Sequence, residues 1–273
     1  DKSQRQGNAK STYFHIRKGS LMELCKHCSS PILSDTENQI YCSHECWRAY
    51  RELQSNRSEP NESALMVWAS IVGVLIALFA LLMAVFLVVG DSELGLPVFT
   101  FLSGVVVYFI LKEVYSKEQV TALFSIPDRS EAGRLILLIL VLDIFVVLPI
   151  HAVITIFLFP DAEQQEVITM FEDASDTSLA LLAFSVAILT PFAEELLFRG
   201  FILGMLLKRY SDTQSVVISS LIFAIAHEPI AMVLAFGGGL LYGWVRVRTG
   251  SILPGMIAHA IWNGFITAVV IMY

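Results

Sequence analysis

Charge is what this chain has least of. Only 16% of its 273 residues are charged, against 55% hydrophobic residues and a mean hydropathy of +0.66, a balance that excludes an ordinary soluble globular protein. Cysteine is absent after Cys46, and all four cysteines lie between Cys25 and Cys46, so no disulfide framework spans the chain. Residues 1–63, the only extended polar region, hold nine Lys/Arg against eight Asp/Glu. Without a basic excess there is no electrostatic case for binding nucleic acid. The first sixty residues also lack a basic stretch followed by an apolar core, so no cleavable signal peptide is expected. No repeat relates the two halves, which argues against a proton- or metal-coupled transporter built from internal repeats.

What the chain has instead is apolar length. Ala64 to Val89 runs for 26 residues without a charge, enough at about 1.5 Å per residue to cross a hydrocarbon core of about 30 Å. Residues 94–111 and 135–159 are two further spans, the second with the single acid Asp143. Residues 161–176 carry six acids and no base, and Val167, Ile168, Met170 and Phe171 could make a short interfacial helix there. Four more apolar stretches follow, at 178–208, 213–227, 229–245 and 251–273. The expectation is an all-α polytopic membrane protein of about seven transmembrane helices, preceded by a small cytoplasmic zinc-binding segment of four cysteines. With the polar tail in the cytoplasm, all 18 Lys/Arg fall in that tail, in cytoplasmic connections or, for Arg199, toward the cytoplasmic end of the fourth helix. The N-terminus is therefore expected inside and the C-terminus outside. Three regions result: the tail (1–63), N-terminal transmembrane helices (64–163) and a C-terminal polar-motif region (164–273).

Within the tail, Cys25, Cys28, Cys42 and Cys46 make a C-x2-C-x13-C-x3-C pattern. Two close pairs of thiolates suit a tetrahedral structural Zn2+, and a segment of residues 22–50 has too few apolar residues to fold on a core of its own. His27 and His44, inside the knuckles, could replace a cysteine ligand but are expected to be bystanders. A closed four-ligand site leaves no open position, so no catalysis is assigned to it.

Three polar groups interrupt the later apolar stretches. In "TPFAEELLFRG", Glu195 and Arg199 are four apart and share a helix face, with the acid N-terminal to the base. Glu194 is rotated about 100° from Glu195, so it does not compete for that partner and remains available to exchange a proton with water. "FAIAHEP" sets Phe223 and His227 one turn apart, and "HAIWN" sets His259 and Asn263 on one face. From Glu194 to Lys208 and from Thr213 to His227 the chain runs 14 residues each way, so an antiparallel hairpin returns His227 to the level of Glu194, roughly 21 Å from the turn. His259 lies roughly 14 Å in from Gly250 by the same rise. Pro191 should kink the fourth helix, Pro229 should end the fifth, and Gly237, Gly238, Gly239 and Gly243 permit close approach of the sixth. Asp143 and His151 read as structural.

In this order, E-E-x-x-x-R, F-x-x-x-H and H-x-x-x-N resemble the motifs of the CAAX protease and bacteriocin-processing family of intramembrane endopeptidases. The surrounding "EELLFRG", "SLIFAIAH" and "YGWVRVRTGSILPGMIAHAIWN" are similar to its motif blocks, over about residues 164–273. The resemblance implies a mostly helical membrane-embedded protease. Glu194 would activate water and His227 would help hold that water. His259 and Asn263 would stabilise the oxyanion, and Glu195 with Arg199 would brace the site. Family members have been described both as zinc enzymes and as metal-free glutamate enzymes. Glu194, His227 and His259 would suit a catalytic Zn2+, so both mechanisms stay open. Relatives with eight helices differ from the seven counted here.

The function expected is hydrolysis of a peptide bond in a membrane-associated or hydrophobic peptide or protein, within a lipid bilayer. The alternative is a non-proteolytic membrane scaffold whose zinc tail recruits a cytoplasmic protein partner. The sequence style suggests a bacterial owner and hence the cell (inner) membrane.

Overall fold

The computed structural model describes residues 63–90, 94–126, 128–160, 166–172 and 174–272. The expected zinc ligands Cys25, Cys28, Cys42 and Cys46 lie outside the described residues. Among those described there are nine helices and no strand: α1 (Ala64–Val89), α2 (Gly95–Val114), α3 (Lys117–Leu123), α4 (Arg129–Leu158), α5 (Glu166–Glu172), α6 (Asp176–Leu206), α7 (Asp212–Ile225), α8 (Met232–Thr249) and α9 (Leu253–Met272). Five of them, α1, α2, α4, α6 and α9, are long and apolar enough to cross a membrane. The chain is a multi-pass membrane protein, but five stretches rather than seven meet that measure. Helix α7 has only 14 residues, about 21 Å of rise. Glycines and two arginines dilute the apolar character of α8. Helix α4 begins at Arg129 rather than at residue 135, because the Asp128 carboxylate caps it by accepting the Glu131 N–H at 2.9 Å. The short helix expected in the acidic segment is α5.

Helix α6 is the hub, packing against α1, α2, α7, α8 and α9, while α4 closes the far side on α8 and α9. Its course departs from a regular α-helix at Ser185–Leu189 and Glu195–Ile202, and α4 does the same at Asp143–Val147; all three are π-helical. Two of these widened turns have a cause in the sequence. Pro149 and Pro191 cannot donate an N–H, and their rings crowd the carbonyl four residues back. In the turns before them Leu148 N–H reaches Asp143 O and Thr190 N–H reaches Ser185 O, so the helix widens around each proline. A π turn thus stands just before Pro191, where a kink was expected. Each π turn begins on a buried polar residue: Asp143, Ser185 or Glu195.

The widened turns offer carbonyls to neighbouring helices. Phe198 O accepts from the Ser219 hydroxyl of α7 at 3.1 Å, and Val186 O accepts from the Asn263 amide of α9 at 3.1 Å. Helices α7 and α8 pair extensively on a seam of small residues. At Gly239 an added Cβ would stand 3.0 Å from Ser220 Cβ, and at Gly243 3.1 Å from a Val216 methyl. Helix α8 ends on Gly250 at φ 75°, a left-handed cap that a side chain would strain. The basic connections gather at one end of the bundle. There Ile252 N–H and the Ser251 hydroxyl both bond Leu123 O, Arg248 pairs with Glu131 at 3.2 Å, and Lys208 stands 5.6 Å from the Tyr115 ring.

If the α7–α8 seam sets this geometry, Gly239→Val should lower stability by about 1–3 kcal/mol, read as a lower thermal unfolding midpoint in detergent. Gly73→Val, where an added Cβ meets nothing within 4 Å, should leave the midpoint nearly unchanged.

Candidate active site

Glu195 is 0% and Arg199 1% exposed, and Arg199 Nη1 lies 3.2 Å from Glu195 Oε1. Two charges so deeply buried are tolerable only when paired and further bonded. Only part of that further bonding is present: Glu195 Oε2 and the Arg199 Nη1 and Nη2 atoms make no hydrogen bond among the described residues. His259 Nδ1 lies 3.2 Å from the same Glu195 oxygen, and the guanidinium carbon is 4.3 Å from the Phe223 ring centroid and 5.2 Å from that of Tyr242. The expected pairing of Glu195 with Arg199 is therefore present, although their helix is π rather than α at this point.

Glu194 differs from its neighbour in access. Its side chain is 23% exposed, and its Oε2 lies 3.6 Å from His259 Nε2. The two ring nitrogens of His259 thus face two different carboxylates. A carboxylate paired with Arg199 can only accept, so His259 Nδ1 donates to Glu195 and Nε2 faces Glu194. His227, just beyond the end of α7, has Nδ1 2.8 Å from Phe223 O. A carbonyl only accepts, so Nδ1 is again the protonated nitrogen and Nε2 of a neutral ring is left as an acceptor. The Phe223 ring is flanked by both imidazoles, with centroids 4.5 Å from His227 and 6.1 Å from His259. Asn263 does not project freely beside His259, because its amide donates to Val186 O in the widened turn of α6.

All six motif residues thus belong to one region where α6, α7 and α9 meet. Beyond them, Tyr242 of α8 stacks on His259 at 4.9 Å and 22°, and its hydroxyl reaches 3.5 Å toward Asp143 Oδ2. Sequence reading passed over Tyr242, since a tyrosine in an apolar helix carries no signal of its own; the available hint was its place in a run of glycines. Asp143, 2% exposed, is held in this second layer, whereas His151 is only half-buried and lies near Thr155 at 3.5 Å. An apolar cavity of about 360 Å3 opens between α2 and α6, lined by Thr100, Gly104, Tyr108, Leu189 and Phe192 among others. Phe192 places it two residues from Glu194 along α6.

A zinc ion on Glu194, His227 and His259 would need these side chains grouped around one point. Among the described residues no three His, Cys, Asp or Glu side chains are so grouped. The residues present therefore do not fit a three-ligand zinc centre.

Residues 176–265 match the family model described as Type II CAAX prenyl endopeptidase Rce1-like. The chain is 33% identical over 96 residues to an uncharacterized 24.3 kDa protein of Escherichia coli, covering 33% of this chain and 44% of that protein. It is 32% identical over 95 residues to the membrane-embedded CAAX protease MroQ of Staphylococcus aureus (strain USA300), covering 32% of this chain and 38% of that protein. The matches thus span less than half the length of either curated relative. No solved structure matches.

Removing the Glu195 carboxylate should leave the Arg199 charge unpaired and buried. Glu195→Gln is expected to cost about 3–5 kcal/mol of stability, measured by unfolding of the detergent-solubilised protein. The Glu195→Gln, Arg199→Met double variant should lose less than the sum of the two single changes.

Proposed function

From the match of residues 176–265 to the Type II CAAX prenyl endopeptidase Rce1-like model and the similarity to a membrane-embedded CAAX protease, we propose that the chain is an intramembrane endopeptidase of the CAAX protease and bacteriocin-processing family, acting on a membrane-associated or hydrophobic peptide or protein. The observation that carries the reading is the division of labour between adjacent acids. Glu195 is fully buried against Arg199, while Glu194 is 23% exposed with an imidazole 3.6 Å away.

In the proposed reaction Glu194 accepts a proton from a water molecule as its oxygen attacks the substrate carbonyl carbon. The negative charge that develops on the carbonyl oxygen is met by the Nε2–H of a protonated His259, whose Nδ1–H stays on Glu195. His227 Nε2 accepts a hydrogen bond from the attacking water and orients it. The tetrahedral species collapses as the carbon–nitrogen bond breaks, and the proton held by Glu194 passes to the departing amine. Asn263, tied to Val186 O by one amide hydrogen, keeps a second for the oxyanion and fixes α9 against α6. Glu195 and Arg199 hold the imidazole rather than the substrate.

The tail is proposed to bind one structural Zn2+ through Cys25, Cys28, Cys42 and Cys46, and to offer a surface to a cytoplasmic protein. The basic end of the bundle is taken as cytoplasmic, in the inner membrane of a bacterial cell. Metal analysis of the purified full chain should find one zinc; a second would add a catalytic metal.

Against a peptide library, Glu194→Gln should reduce kcat/KM by about 10²–10⁴-fold, with Glu131→Gln, at the exposed basic end, as the unaffected control. Undiminished cleavage by Glu194→Gln would sink the assignment of the base.

A further inference from the structure

Tyr242 touches two parts of the site at once. Its ring lies nearly parallel to the His259 imidazole, 4.9 Å between centroids and 22° between planes, and the Arg199 guanidinium carbon is 5.2 Å from its centroid. Its hydroxyl, buried with the rest of the side chain, reaches 3.5 Å toward Asp143 Oδ2 on the widened turn of α4. The ring packs closely against two glycines, Gly238 tightly and Gly255 at ordinary contact distance. A Cβ at Gly255 would stand 3.4 Å from Tyr242 Cβ and 3.6 Å from Glu195 Oε2, and one at Gly238 would stand 3.3 Å from the Tyr242 ring. The close α7–α8 seam at Gly239 then fixes where α8 delivers the ring.

The imidazole needs such a wall. His259 is 5% exposed and is offered a carboxylate at each nitrogen. A ring free to rotate about its Cβ–Cγ bond would exchange the nitrogen facing Glu195 for a carbon and lose the register with Glu194. Hydrogen bonds at the ring's edge set its in-plane direction, whereas a flat neighbour on its face resists rotation out of that plane.

We propose that Tyr242 is a positioning residue, its ring holding the His259 imidazole in register between Glu194 and Glu195, with Asp143 anchoring the ring through its hydroxyl. As a statement about the reaction this rests on the endopeptidase reading; as a statement about the imidazole it does not.

The test uses the full chain, labelled with 15N-histidine in lipid nanodiscs, with the His259 ring resonances assigned by their loss in His259→Gln. Tyr242→Leu should free Nδ1 from Glu195, so that the two tautomers exchange and the separation between the ring-nitrogen resonances falls. On a peptide cleaved by the unaltered protein, it should lower kcat by about 10-fold or more with KM within about 2-fold. Tyr242→Phe preserves volume and stacking, so it should keep most of the separation and lose only about 3-fold in kcat. Asp143→Leu, which removes the acceptor, should lose a similar amount, and adding it to Tyr242→Phe should bring no further loss, because both changes break one contact. A separation in Tyr242→Leu equal to that of the unaltered protein would overturn the proposal. Singles that multiply in the double variant would overturn the anchoring by Asp143. Because the resonances are read without substrate, failure of the endopeptidase reading would show separately, in undiminished cleavage by Glu194→Gln.

Discussion

The bundle is organised around one buried ion pair. Glu195 and Arg199 are among the least exposed side chains of the structure, and an isolated charge at such depth is costly in hydrocarbon or in protein. Four helices contribute to making the pair tolerable. Helix α6 carries both partners, α9 brings the His259 nitrogen to the same carboxylate oxygen, and α7 and α8 lay Phe223 and Tyr242 against the guanidinium. None of these neighbours could shift far without exposing a charge to an apolar surface. The electrostatic requirement of the pair thereby becomes a geometric requirement on the site, and Glu194 inherits a fixed position from the residue beside it in the chain.

The same frame explains why irregular helix is concentrated here. A π turn costs backbone geometry and is kept where something uses it. The turns of α6 at Ser185–Leu189 and Glu195–Ile202 hand the Val186 and Phe198 carbonyls to Asn263 and Ser219. In apolar surroundings such cross-helix bonds fix the rotation of α7 and α9 about their own axes more firmly than dispersion contacts could. The α7–α8 glycines serve the same end, since they let α8 come close enough for Tyr242 to reach the imidazole.

Much of this was legible in the sequence, but unevenly. Spacing alone gave the pairing of Glu195 with Arg199 and the separate standing of Glu194, because both follow from helical periodicity. The meeting of the motif helices was legible from the matched lengths of chain on either side of the turn at Ser211. Two things were not. His259 bonds Glu195 as well as approaching Glu194, which depends on the relative rotation of α6 and α9, and no local pattern encodes that. Tyr242 was invisible for a related reason: its role lies in a stacking partner on another helix. Pro191 was legible as an irregularity in the fourth helix, but the π turn before it was not, because the widening depends on where the carbonyls find partners on neighbouring helices. The shortness of α7 was legible, since the expected stretch of residues 213–227 is within a residue or two of the helix found at Asp212–Ile225.

That short helix bears on where water comes from. Val217, Leu221 and Ile225 of α7 face outward, Ile225 at 70% exposure, and in a bilayer they would set a helix of about 21 Å beside about 30 Å of hydrocarbon. A bilayer meets such a deficit by thinning locally. Along this flank the headgroup region would dip toward the end of α7, where His227 sits. A reaction that consumes water inside a membrane would then draw it from an aqueous boundary brought inward, and lipid chain length in the host membrane would become a variable of the site.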